Sequence, residues 1–190
     1  MNKILLLGLF VMSNIFAQNS ELLKRMQVIM DDGGTYYYNV DGYSVTSKAF
    51  DYDFSEKGLK KVYRKYSVKK KQLKIKNKQL NFDNFQVKKI EEYNEKVTAY
   101  SSIYFIKNLI DQITVIQINS INTENAIFEK KIATMIINND IPETMVASVY
   151  IKDSINFAGR RIALSNNECN WMGVNKIQCP YYGEMNWVCT

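Results

Sequence analysis

Two runs of near-regular alternation constrain this chain more than any other feature. Val97 to Ile106 reads as alternating, and Ile113 to Ile121 alternates almost perfectly through Ile113, Val115, Gln117 and their neighbours. A period of two places successive side chains on opposite faces of a sheet. Residues Asn108 to Gln112 join the two runs, which therefore read as adjacent antiparallel strands.

Helical spacing surrounds this pair. Thr123 reads as the N-cap of a helix through Ile137 that turns Ile127, Phe128, Ile132, Met135 and Ile136 inward. Asn138-Asn139-Asp140 and then Pro142 stop it. Ser55 to Tyr66 reads as a second helix with Leu59, Val62, Tyr63 and Tyr66 on one face, its acidic start and basic end suiting the helix dipole. Glu21 to Met30 reads as a third, capped by Ser20 and ended by Asp31-Asp32-Gly33-Gly34, with Leu22, Leu23, Met26, Ile29 and Met30 together.

Strand signals fill the rest. Tyr36 to Tyr38 and Tyr43 to Val45 flank Asn39-Val40-Asp41-Gly42, a hairpin turn. Gln72 to Lys76 has period two, with Asn77-Lys78 as a turn into Leu80 to Phe85. Phe85 to Glu92 fits strand and helix equally. Val146 to Ile151, Phe157 to Leu164, Trp171 to Gln178 and Met185 to Val188 read as strands. The expected class is α+β: an antiparallel sheet packed by two or three helices, with a disulfide-clipped C-terminal strand segment.

The first seventeen residues have the layout of a cleavable signal peptide: Lys3, the apolar core Ile4 to Met12, the break at Ser13-Asn14, and Ala17 before Gln18. Ile15 departs from the small residue usual at that position. The apolar core is shorter than the roughly 20 residues that span a bilayer. An uncleaved anchor or a buried N-terminal helix is the alternative. Residues 18–190 are then expected to form a single globular domain, in the periplasm or outside the cell. No second membrane segment is expected, since Lys107 and Asp111 interrupt the best candidate, Ile103 to Ile118.

The chain has no histidine. Imidazole-activated serine or cysteine nucleophiles, histidine-ligated zinc and imidazole acid–base pairs are thereby excluded. Neither a cofactor nor a metal site is expected. Asp51-Tyr52-Asp53-Phe54-Ser55 faintly echoes a calcium loop, but Glu56 stands where that loop needs glycine. A carboxylate-dependent hydrolase would have to draw on Glu91, Glu92, Glu95, Asp111, Glu168 or Glu184, and nothing in the sequence pairs them. Gly159-Arg160-Arg161 reads equally as a bulge aiming an arginine or as a turn between two short strands.

Two segments stand out as candidate sites. Lys57 to Lys78 contains eleven Lys/Arg and no Asp/Glu, in a chain whose total charge is +6. Lys60, Lys61, Arg64, Lys65, Lys69, Lys70, Lys71, Lys74 and Lys76 form the candidate anion-binding set, with Tyr63 and Tyr66 interleaved. Such a patch attracts phosphate, anionic lipid, acidic polysaccharide or an acidic protein, in a salt-dependent way. The bland reading is a solvated helix face followed by a lysine-rich edge strand. Nucleic acid is not the expected ligand of an exported chain.

The other segment is the C-terminus. Cys169, Cys179 and Cys189 are evenly spaced, and in an oxidising compartment two of them are expected to pair. The third would remain a thiol or link a disulfide-bonded dimer. Trp171, Tyr181, Tyr182 and Trp187 make the segment aromatic, either as core beneath the clip or as interface residues. The overall expectation is a non-enzymatic exported envelope protein that binds a protein partner or an anionic surface polymer. A periplasmic immunity protein is one version of it. A small carboxylate-dependent envelope hydrolase and a structural or surface-assembly subunit are the alternatives.

Overall fold

The structure is a computed structural model describing residues 21–31, 33–72, 76–78, 80–148, 150–151, 154–157, 160–163, 169–173, 176–179 and 183–186. The expected leader and its expected cleavage point lie outside these residues, as do Lys74, Tyr181, Tyr182, Trp187 and Cys189.

Its centre is a seven-stranded sheet in the order β4-β5-β6-β3-β2-β1-β7. The strands are β1 (Gln27–Met30), β2 (Thr35–Val40), β3 (Tyr43–Asp53), β4 (Asn84–Asn94), β5 (Val97–Lys107), β6 (Gln112–Ile121) and β7 (Val146–Ser148). All neighbours pair antiparallel except β1 with β7. The alternating runs are indeed adjacent antiparallel strands, β5 and β6, with Ile103 opposite Gln117 and Phe105 opposite Val115. The hairpin between β2 and β3 closes through Asp41 and Gly42 alone. Both have positive φ, 49° and 81°, the twist that a two-residue turn needs to match its strands.

Helices cover both faces. The helical residues 21–25 (α1) and α3 (Ala126–Ile137) lie over one face. There Leu22, Tyr38, Val45, Tyr104, Ile106, Ile116, Ile118, Ile132 and Met135 form one core. Helix α2 (Glu56–Lys65) covers part of the other, closing a second core of Phe50, Leu59, Val62, Val87, Ile103, Phe105, Ile113 and Val115. Strand alternation distributes β5 between them: Ile103 and Phe105 face α2, while Tyr104 and Ile106 face α3.

Several expectations are corrected. Glu21 to Met30 is not one helix: it is helical through residue 25, and Gln27–Met30 is strand β1. Val28 and Ile29 are both buried, on opposite faces of a strand paired on both sides, so the apolar run served a buried strand as well as a helix face. Helix α3 starts at Ala126, not after Thr123. Its cap is Asn125, whose side chain accepts from Phe128 N at 3.0 Å, while the Thr123 carbonyl accepts from the Ser120 hydroxyl. Ile127, expected to point inward, is 81% exposed. Phe85 to Glu92 resolves as strand within β4. Lys70–Gln72 is a 3₁₀ turn, and the rest of the strand expected there, residues 73–75, lies outside the described residues.

The C-terminal part is two further sheets. β9 (Ser154–Phe157) and β10 (Arg160–Ala163) pair antiparallel, so the strand expected over Phe157 to Leu164 is half of a hairpin, with Arg160 opposite Phe157. A four-stranded sheet follows in the order β13-β12-β11-β8, from β8 (Tyr150–Ile151), β11 (Cys169–Gly173), β12 (Lys176–Cys179) and β13 (Gly183–Asn186). The expected single strand over Trp171 to Gln178 is therefore the β11–β12 hairpin. A disulfide joins Cys169 to Cys179 across it. The result is a mostly antiparallel, sheet-rich α+β fold with three α-helices among the described residues.

Candidate functional site

Helix α2 brings half of the basic segment into register. Ser55 caps it, its hydroxyl accepting from Gly58 N at 3.2 Å, which gives Ser55 of the calcium-loop echo a structural task. Gly58 is required by position: a Cβ there would lie 2.1 Å from the Asp53 carbonyl oxygen. The helix thus presses its first turn against the end of β3. Leu59 and Val62 are buried below, and Tyr63 stands edge-on to Phe105 at 4.6 Å.

With 3.6 residues per turn, this buried face leaves Lys57, Lys60, Lys61 and Arg64 together on the outer face, all exposed. None of the four pairs with a carboxylate among the described residues. Lys61 lies with its ammonium 4.6 Å from the Tyr52 ring centroid, and Lys65 lies 4.9 Å from that of Phe50. These cation–π contacts hold the two lysines on the flank of the helix. Lys69 and Lys71 continue the exposed set past the helix end. Lys70 joins them in the 3₁₀ turn by backbone position. Lys76 is diverted: it pairs with Asp83 at 2.9 Å, and that hydrogen bond and charge hold the Asp83 carboxyl below its usual range.

The interleaved tyrosines do not belong to this surface. Tyr63 and Tyr66 turn toward Phe105 and Phe50. Burial pushes both hydroxyls up to about 12, with nearby Tyr37 adding to the shift at Tyr66. They pack the core and offer no stacking platform.

The outer face carries a cost that a purely structural helix would avoid. Lys57–Lys61, Lys60–Arg64 and Lys61–Lys65 are like-charged pairs four residues apart, each destabilising a helix by roughly 0.2–0.5 kcal/mol. Lys57 and Lys60 also sit at the positive end of the helix dipole. An anion laid along this face would relieve both.

A buried polar chain crosses the opposite core, and sequence reasoning missed it. Asn77 Nδ2 donates to Gln86 Oε1 at 3.0 Å, and Gln86 Nε2 donates to the Tyr104 oxygen at 3.0 Å. The Tyr104 hydroxyl in turn donates to Glu129 Oε2 at 3.0 Å. Glu129 is 2% exposed. Burial, then the Glu129 charge and hydrogen bond, hold the Tyr104 hydroxyl far above its usual range. Nearby, Tyr43 stacks on Phe128 and its buried hydroxyl has no partner among the described residues. The one sequence signal was Glu129 itself, a carboxylate in the first turn of a helix whose other charged residues are Lys130 and Lys131.

The carboxylates considered for hydrolysis are dispersed. Glu91 and Glu92 point to opposite faces of β4, Glu95 lies in the β4–β5 turn, and Asp111 lies in the β5–β6 turn at the far end of β5. That is a separation of roughly 35 Å along an extended strand. Glu91 accepts from Tyr93, Asp111 pairs with Lys107 at 2.8 Å and Glu184 with Lys176 at 2.7 Å; Glu168 lies outside the described residues. Among the described residues, no three His, Cys, Asp or Glu side chains gather as a metal site would require.

At the C-terminus the Cys169–Cys179 bridge closes a ten-residue separation and Cys169 is buried. Trp171 occupies β11 opposite Ile177. No helix among the described residues is long and apolar enough to cross a membrane. No protein-family model matches the chain, and no similar curated protein or solved structure is found.

Proposed function

We propose that this chain is an exported, non-enzymatic protein of the cell envelope that binds an anionic partner through the outer face of α2. One observation carries the reading: Lys57, Lys60, Lys61 and Arg64 form an exposed stripe without carboxylate partners among the described residues, on a helix fixed from below by Gly58, Leu59 and Val62. Export rests on the leader-like residues 1–17 together with the disulfide, since such bonds persist in oxidising compartments. A periplasmic immunity protein that blocks an acidic toxin is one version of this role, and a toxin encoded beside it would favour that version.

The test is capture in native cells. The tagged chain is cross-linked and purified at low and high salt, beside the variant K57E/K60E/K61E/R64E. The proposal expects an anionic protein or envelope polymer with the parent chain and its loss with the variant. Equal recovery with both would refute the α2 site.

A further inference from the structure

The turn between β5 and β6 carries a feature that folding does not need. Asn108 makes the turn: its side-chain oxygen accepts from Ile110 N at 3.1 Å and Gln112 N at 2.9 Å, and its carbonyl accepts from Asp111 N at 3.1 Å. Asp111 takes the positive φ of 62°. The two residues between them could be any polar pair, as turns usually have. They are Leu109 and Ile110, 84% and 71% exposed.

This tip is fixed beside the cationic helix. Phe54 N donates to the Asp111 carbonyl at 2.9 Å, so the tip is held to the residue before the α2 cap, Ser55. The carboxylates at this end are partly occupied: Asp111 by Lys107 at 2.8 Å, and Asp51 by the Gln112 amide at 2.7 Å. Asp53 and Glu56 are exposed there too, so charge attraction must come from the outer face of α2.

On this basis we infer that the anionic partner is a lipid bilayer, with α2 laid on acidic headgroups and Leu109–Ile110 entering the interface. The inference rests on the α2 reading above. A soluble polyanion would match the lysines but gives no reason to expose two aliphatic side chains. An acidic protein would prefer arginine and aromatic anchors, and the outer face of α2 offers three lysines and one arginine without an aromatic. Lysine ammoniums are point charges that suit a layer of phosphates without fixed orientation. Interfacial binding strengthens with buried apolar area and with attraction to anionic lipid, and this end of the molecule offers both.

The chain is purified from the envelope of expressing cells, its N-terminus read by mass spectrometry, and sedimented with vesicles of phosphatidylcholine with and without phosphatidylglycerol. Binding is expected only with phosphatidylglycerol and should weaken with salt. Each cation removed from α2 should lower partitioning about fivefold. L109S/I110S should lower it about tenfold without changing the salt dependence. Unchanged melting of each variant shows that the fold survives. Absence of vesicle binding, or binding that neither variant weakens, overturns the inference. Binding of soluble polyphosphate or of a captured acidic protein through α2, without vesicle binding, overturns it while leaving the α2 reading intact.

Discussion

The Tyr104 hydroxyl reaches from β5 to the Glu129 carboxylate of α3 at 3.0 Å, inside the core that joins helix to sheet. A carboxylate this buried needs its donor, because an unsatisfied buried acceptor forfeits its hydration without return. Tyr104→Phe should therefore destabilise the chain by about 2–3 kcal/mol in urea denaturation, leaving both Glu129 and Gln86 short of a partner. Glu129→Gln, which can still accept from Tyr104, should cost less. Equal stability of Tyr104→Phe and parent would show that the polar chain does not tie α3 to the sheet.

Buried tyrosines should set the alkaline limit of stability, Tyr104 and three others among them. Burial raises Tyr38, Tyr63 and Tyr66 from an ordinary 10.0 up to about 12. The neutral phenol is favoured in the fold, so the contribution is complete below pH 10 and is lost as pH rises toward 12, where the unfolded chain alone ionises first. Tyr63→Phe isolates the effect, since burial alone shifts this hydroxyl. Its stability should decline less steeply over that window, as followed by circular dichroism. A parent chain whose stability stays level through pH 12 would contradict the packing of these rings.

Gly58→Ala gives a prediction of sign. In an exposed helix interior, alanine is favoured over glycine by up to about 1 kcal/mol. Here the new Cβ would sit 2.1 Å from the Asp53 carbonyl, so α2 must shift away from β3. A loss of about 2 kcal/mol is expected, in the range of overpacked sites. Thermal melting decides it, and a stabilised variant would mean that α2 does not press on β3 as described.

The Cys169–Cys179 bridge closes a short loop, and removing it should cost about 3 kcal/mol through the freed unfolded chain. C169S/C179S should lose order first in the β11–β12 hairpin while the seven-stranded sheet persists. Amide hydrogen exchange resolved by segment tests this. Simultaneous loss of protection in β5 and β6 would show that the clip holds the whole molecule together.

What the sequence disclosed follows from how local each cause is. β6 was legible because buried and half-buried residues alternate along most of its length, β5 because its long apolar run, buried on both faces from Ser102 to Ile106, is joined to β6 by a short turn, and α2 because Leu59, Val62 and Tyr63 share one face. β1 was misread because Val28 and Ile29 are buried on both sides, which erases the period that separates strand from helix. β4 was ambiguous because its outer half, with Lys88, Lys89, Glu91 and Glu92, lies at the sheet edge, where exposure leaves no alternation to read. The basic stripe was visible as composition and the inward turn of Tyr63 and Tyr66 as helical spacing with Leu59 and Val62, while their ring contacts with Phe50 and Phe105 had no local signature. The Tyr104–Glu129 bond spans 25 residues and has no local signature.

The central claim is that α2 is the contacting surface, and lysine footprinting measures it most directly. The chain is mixed with native envelope extract, lysines are acetylated briefly, and modification is quantified by mass spectrometry against the free chain. Protection should concentrate at Lys57, Lys60 and Lys61, with Lys24, Lys96 and Lys176 modified as before. Unchanged labelling of α2, or protection centred on the β4–β5 ribbon at Lys96, would contradict the account.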